Sequence, residues 1–186
     1  MWVAIAVGVV LLVLAAILII IYNGLIGKRN QVRNAWGQID VQLNRRHDLI
    51  PNLVNAVRGY MEHERGLLER IAEARTRAIA AGGNVQQRAE AENQLTGALR
   101  SLFAVAENYP QLRASENMLA LQEELSSTEN RIAFARQHYN DSVMEYNTAR
   151  ETVPAVFFAG MLGFSKEPLF TLDAAAPERA VPQVAF

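Results

Sequence analysis

The sequence predicts an all-α fold: an N-terminal transmembrane helix followed by an antiparallel up-and-down bundle of three or four long helices. Three observations lead to this prediction. Residues 2–21 are all apolar, counting Gly8. After them, apolar residues recur at alternating spacings of four and three, the period of a seam between packed helices. No run alternates apolar and polar residues for long enough to indicate a strand.

The N-terminal apolar run, residues 2–21, is long enough at about 1.5 Å per residue to cross the ~30 Å hydrocarbon layer of a bilayer. A cleaved signal peptide is the alternative, but it would have a basic start, a shorter apolar stretch and a small-residue cleavage site. Nothing basic precedes Trp2, and the residues after Ile21 make a poor cleavage site. We therefore expect residues 1–26 to form an uncleaved anchor, with Trp2 and Tyr22 at the two membrane interfaces.

The orientation of this anchor follows from the charges beside it. Lys28, Arg29 and Arg33 follow the apolar run, whereas its other end offers only the α-amino group. Basic flanks stay in the cytoplasm. The sequence thus predicts a single-pass protein of the inner (cell) membrane, with its N-terminus outside and the bulk of the chain cytoplasmic. The lipid bilayer is its first expected partner.

The predicted cytoplasmic bundle covers residues 27–150. Charged residues Arg46 and Glu64 occupy two seam positions, where a charge is costly unless it is paired. We expect them to face water, neighbouring polar residues or a partner subunit. The first apolar series contains Val32, Trp36, Ile39, Leu43, Ile50, Leu53, Val57, Tyr60, Leu67, Ile71, Ala74 and Ala78.

Pro51 interrupts this series, because it lacks the N–H that a helix needs and its ring crowds the preceding turn. One interpretation is a break, with Asp48 capping a new helix whose first turn contains Pro51. The other is a kink, since the apolar phase continues across Pro51 and no glycine is present to reverse the chain. Both interpretations stay open.

Two further helices are predicted after the sequence Gly82-Gly83-Asn84, which favours a helix stop and a hairpin turn. The first covers about residues 85–108, and Pro110 then forces an irregular connection. The second covers about residues 115–150. Its apolar stripe contains Met118, Leu121, Leu125, Ile132, Ala135, Tyr139, Val143 and Tyr146.

Residues 151–172 form an apolar segment that is too short to span a bilayer and has no place in the heptads. We expect it to dock on another surface. If Pro51 reverses the chain, four helices return this segment to the membrane interface; if Pro51 is only a kink, a neighbouring subunit is the surface within reach. Residues 173–186 are predicted to be a disordered tail. The expected docking residues are Phe157, Phe158, Met161, Leu162 and Phe164.

Several short strings resemble one known family. The strings Arg29-Asn30-Gln31-Val32, Ala35-Trp36 and Arg45-Arg46-His47-Asp48-Leu49-Ile50-Pro51 resemble the opening signature of the bacterial LemA family. Tyr109-Pro110, Leu121-Gln122, Tyr139-Asn140 and Tyr146-Asn147 are similar to its later segments. The resemblance covers about residues 22–164 and implies a single N-terminal span, a short external N-terminus and a long cytoplasmic helical bundle. It supplies no catalytic residues.

Two polar groups stand out within these strings. Arg45, Arg46, His47 and Asp48 form the densest polar group; it is either a docking point for an anion or a partner, or a solvated surface that caps a helix. The pairs Tyr139-Asn140 and Tyr146-Asn147 repeat after seven residues, on one helix face. We expect these tyrosines to pack in the core and to hydrogen-bond across the bundle.

The sequence offers no chemistry for an enzyme. There is no cysteine, and His63-Glu64 lacks the second histidine, one turn later, that a zinc protease requires. The formal net charge of −1 disfavours nucleic acid as a partner. We therefore predict no catalytic residue, cofactor or metal, and a membrane protein whose bundle self-associates into a homo-oligomeric scaffold at the cytoplasmic face. The alternative is an accessory or adaptor subunit of a membrane protease or signalling complex.

Overall fold

The computed structural model of the chain describes residues 1–171. The all-α prediction is confirmed, since these residues form helices and connections and contain no strand. Four of the helices are long, and the predicted tail 173–186 lies outside the described residues. The α-helices are α1 (Trp2–Arg58), α2 (Arg65–Ala80), α3 (Val85–Ala106), α4 (Pro110–Arg113) and α5 (Glu116–Glu151).

Helix α1 continues through Pro51 and ends at Arg58, so the predicted helix break with Asp48 as its cap is wrong. Pro51 has no N–H to offer the carbonyl of His47, four residues earlier. That carbonyl accepts instead a hydrogen bond from Nε of Arg75 at 2.7 Å. A side chain from α2 therefore replaces the backbone donor that proline removes, and the helix persists.

The chain reverses after α1 rather than at Pro51. The backbone N–H groups of Tyr60 and Met61 both donate to the carbonyl of Val57 at 3.0 Å, and a 3-10 helix, Glu62–Glu64, then leads into α2. Tyr60, which we expected in the apolar seam, lies in this turn and is exposed.

Helices α2 and α3 form the predicted hairpin and pack against each other. The Oδ1 atom of Asn84 accepts hydrogen bonds from the backbone N–H groups of Gln86 and Gln87, at 2.9 and 3.3 Å, and so caps α3. Gly83 has a φ of 99°, which a residue with a Cβ rarely adopts. The Gly-Gly-Asn sequence thus ends one helix and begins the next, as predicted.

The chain divides into two compact units, which are described separately. Unit 1 contains Met1–Asp40 and Phe134–Pro168, and unit 2 contains Val41–Ala133 with the described residues from Leu169. Unit 2 has a large apolar core from α1, α2, α3 and α5, including Leu53, Ile71, Leu95, Leu102 and Leu125. In unit 1 the buried apolar residues are Leu25, Val32, Ala35, Ile39, Tyr139, Val143, Tyr146, Ala155, Ala159 and Phe164.

Candidate functional site

A buried charge network lies at the centre of unit 2. Arg46, in the seam of α1, is only 1% exposed. Its Nη2 atom bonds the Glu92 carboxylate of α3, and its Nη1 atom donates to Thr96 Oγ1 at 3.0 Å and to Glu129 Oε1 at 2.5 Å. Arg46 thus faces neither water nor a partner subunit, because its own chain surrounds it with acceptors.

His47 completes this network. Its Nε2 atom lies 3.0 Å from Glu92 Oε1, and both side chains are buried. Because a carboxylate only accepts hydrogen bonds, Nε2 carries the proton. Burial raises the pKa of Glu92, but the hydrogen bond from His47 and the charge of Arg46 outweigh it, and the pKa lies below its ordinary value. Glu92 is therefore ionised, which is the state that Arg46 requires.

The remaining members of the predicted polar group face outward. Arg45 and Asp48 are exposed, and Nη2 of Arg45 lies 2.9 Å from Glu124 Oε1 at the surface. The group thus divides by helix face: Arg46 and His47 point inward, Arg45 and Asp48 outward. Glu64, the other predicted charge in the seam, is half-buried at the end of the 3-10 helix.

Sequence reasoning missed the acidic partners of Arg46, although a signal was present. Glu92 stands three residues before Leu95, and Glu129 lies between Leu125 and Ile132, at seam spacings in both cases. Charged residues at seam positions of three helices, one basic and two acidic, are the pattern of a buried ion network.

In unit 1, the repeated Tyr-Asn pairs hold a short chain segment, which we call the C-terminal strap and define as residues 164–168. The hydroxyl of Tyr146 donates to the carbonyl of Ser165, and that of Tyr139 to the carbonyl of Pro168, both at 2.9 Å. Asn147 bonds the backbone of Glu167 in both directions, at 2.9 and 3.0 Å. The strap is therefore bound to α5 mainly through its own main chain.

These tyrosines remain protonated donors at neutral pH. Burial, together with the charge of Glu167, raises the pKa of Tyr139 to about 12. Burial and Glu167 also raise the pKa of Tyr146, against the opposing charges of Arg29 and Arg150. The ring of Tyr139 packs edge-on against Trp36 with centroids 5.4 Å apart. The hydrogen bonds predicted for these two tyrosines are therefore accepted by main-chain carbonyls of the C-terminal strap.

Phe164, one of the five predicted docking residues, is bound within its own chain. It is buried, its ring meets that of Tyr22 at 5.6 Å, and the Arg29 guanidinium lies 5.1 Å from its centroid. Nε of Arg150 also donates to its carbonyl at 3.0 Å. The expectation that Phe164 docks on the membrane or on a neighbouring subunit is wrong, because the strap places it against α1 of its own chain.

The other predicted docking residues belong to a compact turn that follows α5, which we call the cap and define as residues 152–163. Its backbone folds on itself, for example through the N–H of Ala159 to the carbonyl of Ala155 at 2.8 Å. Ala155 and Ala159 are buried, and Phe158 is half-buried. Phe157 is 68% and Met161 86% exposed, and Leu162 is also exposed.

The predicted membrane-flanking residues all belong to the α1 part of unit 1. The apolar run is exposed along nearly its whole length, so it is not the buried core helix of a soluble fold, and it is long and apolar enough to cross a membrane. Trp2, at the start of the apolar run, and Arg33, beyond its end, are both exposed. Lys28 is partly neutralised, because its Nζ lies 3.3 Å from Glu145 Oε2.

A family model for the LemA family matches residues 35–186, which include both polar arrangements described above. The chain belongs to the LemA family. Among its relatives, Magnetosome protein MamQ 2 of Paramagnetospirillum magneticum is 24% identical over 180 residues, covering 83% of this chain and 66% of the relative. Magnetosome protein MamQ of Magnetospirillum gryphiswaldense is 23% identical over 174 residues, covering 80% and 64%.

Protein LemA of Metamycoplasma hominis is 25% identical over 126 residues, which cover 68% of this chain and 58% of the relative. The chain therefore spans 66% of the length of MamQ 2 and 58% of the length of Protein LemA, which is less than two thirds in both cases. LemA membership and the exposed apolar helix together indicate that the protein is membrane-associated.

The described part of this LemA-family chain shows no grouping of three His, Asp or Glu residues that could hold a metal ion. His63 is exposed in the 3-10 helix, and the position one turn after it is the buried Leu67. Unit 2 also has a groove of about 480 Å³ near α4, lined by apolar residues such as Phe103 and Met118 and by polar ones such as Glu107, Arg113 and Gln122. The absence of catalysis stays a prediction.

Proposed function

We propose that this LemA-family protein is a non-enzymatic, single-pass protein of the inner (cell) membrane whose helical body self-associates into an oligomeric scaffold at the cytoplasmic face. One observation carries the proposal: within unit 1, the apolar run and the residues packed against α5 belong to one uninterrupted helix. A continuous helix couples an anchor stiffly to a body, which is what a scaffold held at a membrane surface needs.

The proposed orientation rests on Lys28, Arg29 and Arg33, which follow the apolar run directly. Fusing reporters to Phe186 tests it. We expect activity from a reporter that works in the cytoplasm and none from one that needs the periplasm, and the reverse pattern would contradict the orientation.

Self-association is supported by the outward face of α5 in unit 1. Phe134 is 73% and Met144 59% exposed there. Burial of such side chains is worth roughly 1.5–3 kcal/mol each, so a face that exposes both gains from being covered. Two of the relatives are named magnetosome proteins and not after a reaction, which is in keeping with a non-enzymatic role.

The particle mass in mild detergent tests self-association. The native chain should form an oligomer, and Phe134→Ser with Met144→Ser should shift it to smaller particles at an unchanged melting temperature. Ile79→Ser is the matched control, since Ile79 is an exposed apolar residue of α2. A native monomer, or an equal loss of assembly in the control, would contradict the scaffold.

The second candidate function is an accessory or adaptor subunit for another membrane protein, which the groove in unit 2 favours. Leu119 lines this groove and is exposed. An adaptor should co-purify with one partner in a fixed ratio and lose it in Leu119→Glu without losing stability. A partner that survives this substitution would rule out the groove as its binding site.

A further inference from the structure

The contacts between α1 and α5 fix where the cap lies along the α1 helix. Within unit 1, Trp36 packs on Tyr139 and Lys28 pairs with Glu145, so the two helices run antiparallel. Both rise by about 1.5 Å per residue. Six residues beyond Glu145, α5 ends at Glu151, and this end is therefore level with about residue 22 of α1.

The ring contact between Tyr22 and Phe164 agrees with this register. In addition, Leu18 and Ile21 are half-buried, whereas residues 2–17 of the apolar run are exposed. The cap follows Glu151 directly and precedes Phe164. It therefore lies beside the last turns of the apolar run, at the level where the helix would leave the hydrocarbon of a bilayer.

The surface of the cap is apolar at this level. Residues 153–162 contain no charged side chain. Val153 is 74% exposed, and Phe157 and Met161 are also largely exposed. These side chains stand outward because Ala155 and Ala159 take the inward positions of the turn. Apolar side chains that are this exposed are stabilised when an apolar environment covers them.

Charged residues of α1, α5 and the strap lie beside the cap, on the side away from the apolar run. Basic residues are Lys28, Arg29 and Arg33 on α1, Arg150 at the end of α5 and Lys166 in the strap; acidic residues are Glu145, Glu151 and Glu167. Lys28 pairs with Glu145, and Arg150 and Lys166 pair with Glu151, so charges of both signs lie just beyond the apolar surface. This order, aromatic and aliphatic side chains followed by charged residues, is that of an element lying in a membrane interface.

We propose that the cap is a second membrane contact: residues 153–162 insert Phe157, Met161 and their apolar neighbours into the head-group region of the bilayer that α1 crosses. The inference rests on the membrane anchor of the proposed function and adds a lipid-binding surface to it. The strap supports this surface, because Tyr139, Tyr146 and Asn147 hold the chain that returns from it.

The bilayer suits the cap better than a second copy of the chain does. Every chain anchored by α1 already has lipid at the level of the cap. The contact between the cap and the bilayer therefore needs no second copy of the chain and does not depend on protein concentration. The cap also offers no charged side chain with which to select a protein partner or to fix its register.

The absence of cysteine allows a direct test with single spin labels on the full-length chain. We would label Met161→Cys, with Gln38→Cys as an exposed control on α1 in unit 1 and Leu12→Cys as a reference inside the apolar run. Each variant is reconstituted in vesicles of phosphatidylcholine with a minority of phosphatidylglycerol. Collisions with oxygen, which concentrates in lipid, and with a water-soluble nickel chelate both relax the label. The accessibility of each label to the two reagents is measured separately.

We expect the oxygen-to-nickel accessibility ratio at Met161 to be several-fold higher than at Gln38 and lower than at Leu12. A nickel-accessible label at Met161 beside a lipid-exposed Leu12 would overturn the cap contact and leave the anchor intact. A label at Met161 shielded from both reagents, with spin broadening that unlabelled protein relieves, would show a second copy there instead. A nickel-accessible Leu12 would overturn both proposals.

Discussion

The two units secure their helices with polar side chains of different kinds. Unit 2 buries ionised groups, with Arg46 between two carboxylates and His47 on one of them. Unit 1 uses neutral donors, with Tyr139 and Tyr146 bonded to main-chain carbonyls. In both units these side chains occupy stripe positions where an apolar residue would also pack.

The difference teaches how much each unit depends on its partners. A buried charge loses its hydration, so the loss of one partner leaves the other uncompensated. A neutral hydroxyl needs one acceptor, and the strap carbonyl that loses it gives up about one hydrogen bond. Unit 2 should therefore be the more sensitive to substitution and to acid, and unit 1 to alkali.

The largest expected effect is that of Arg46→Leu, which leaves ionised Glu92 buried without its cation. We expect a loss of about 3–5 kcal/mol in the free energy of unfolding, measured by urea denaturation of the full chain in detergent. The double variant Arg46→Leu with Glu92→Leu should recover most of this loss, because no charge is then stranded. A double variant as unstable as the single one would contradict the pairing.

Acidification should act on the same network with a smaller effect, because protonated Glu92 is neutral. The pKa of Glu92 is lowered from its ordinary value of 4.5 in the folded state. Its contribution to stability is thus present above about pH 4.5 and is lost as the pH falls through the lower, folded value. Glu92→Gln should be less stable at neutral pH, and its melting temperature should fall less on acidification.

In unit 1 the dependence of stability on pH should have the opposite sign. The pKa of Tyr139 is raised from 10.0 to about 12, so its contribution is present below pH 10.0 and is lost as the pH rises toward 12. Tyrosinate absorbance should show Tyr139 titrating above the ordinary tyrosine value of 10.0, with Tyr139→Phe identifying its signal. Titration of Tyr139 at the ordinary value of 10.0 would contradict its burial against the strap.

Arg75→Met tests how α1 continues through Pro51. It leaves the carbonyl of His47 without a donor, and we expect a loss of about 1.5–3 kcal/mol, typical of a hydrogen bond from a charged group. In a Pro51→Ala background the new N–H restores the helical bond, so the same substitution should cost less. Equal losses in both backgrounds would show that Arg75 acts elsewhere.

The smallest expected effect is that of Asn147→Ala, which removes both hydrogen bonds to the backbone of Glu167. We expect a loss of about 1–2 kcal/mol, because both partners are neutral. Asn147→Asp would put a carboxylate oxygen against the Glu167 carbonyl, two acceptors with no proton between them, so it should be destabilised at least as much. If Asn147→Ala were as stable as the native chain, the two bonds to the Glu167 backbone would contribute nothing to stability.

Much of the fold was predictable because helix patterns and turn residues act over a few positions. The predicted helix over residues 85–108 is α3 (Val85–Ala106), and the one over 115–150 is α5 (Glu116–Glu151). Pro51 was misleading in one respect. A proline indicates where a donor is missing, but not that Arg75, in another helix, supplies a replacement.

The candidate sites were less predictable, because their partners are far apart in sequence. Arg46 was recognised as a charge in a seam, but its partners Glu92 and Glu129 belong to other helices. The Tyr-Asn repeat was recognised as one helix face, yet it bonds backbone carbonyls of the strap. A main-chain acceptor carries no sequence signature, since every residue has one.

The sequence by itself determined the helical class, the apolar run with its basic flank, the hairpin at Gly82-Gly83-Asn84 and the absence of thiol chemistry, because composition and short spacings govern these properties. Only the tertiary structure decided that Arg46 is buried and paired, that α1 passes through Pro51, and that Phe164 returns to Tyr22 and leaves the cap beside the apolar run. These outcomes depend on which distant groups meet, and packing alone brings such groups together.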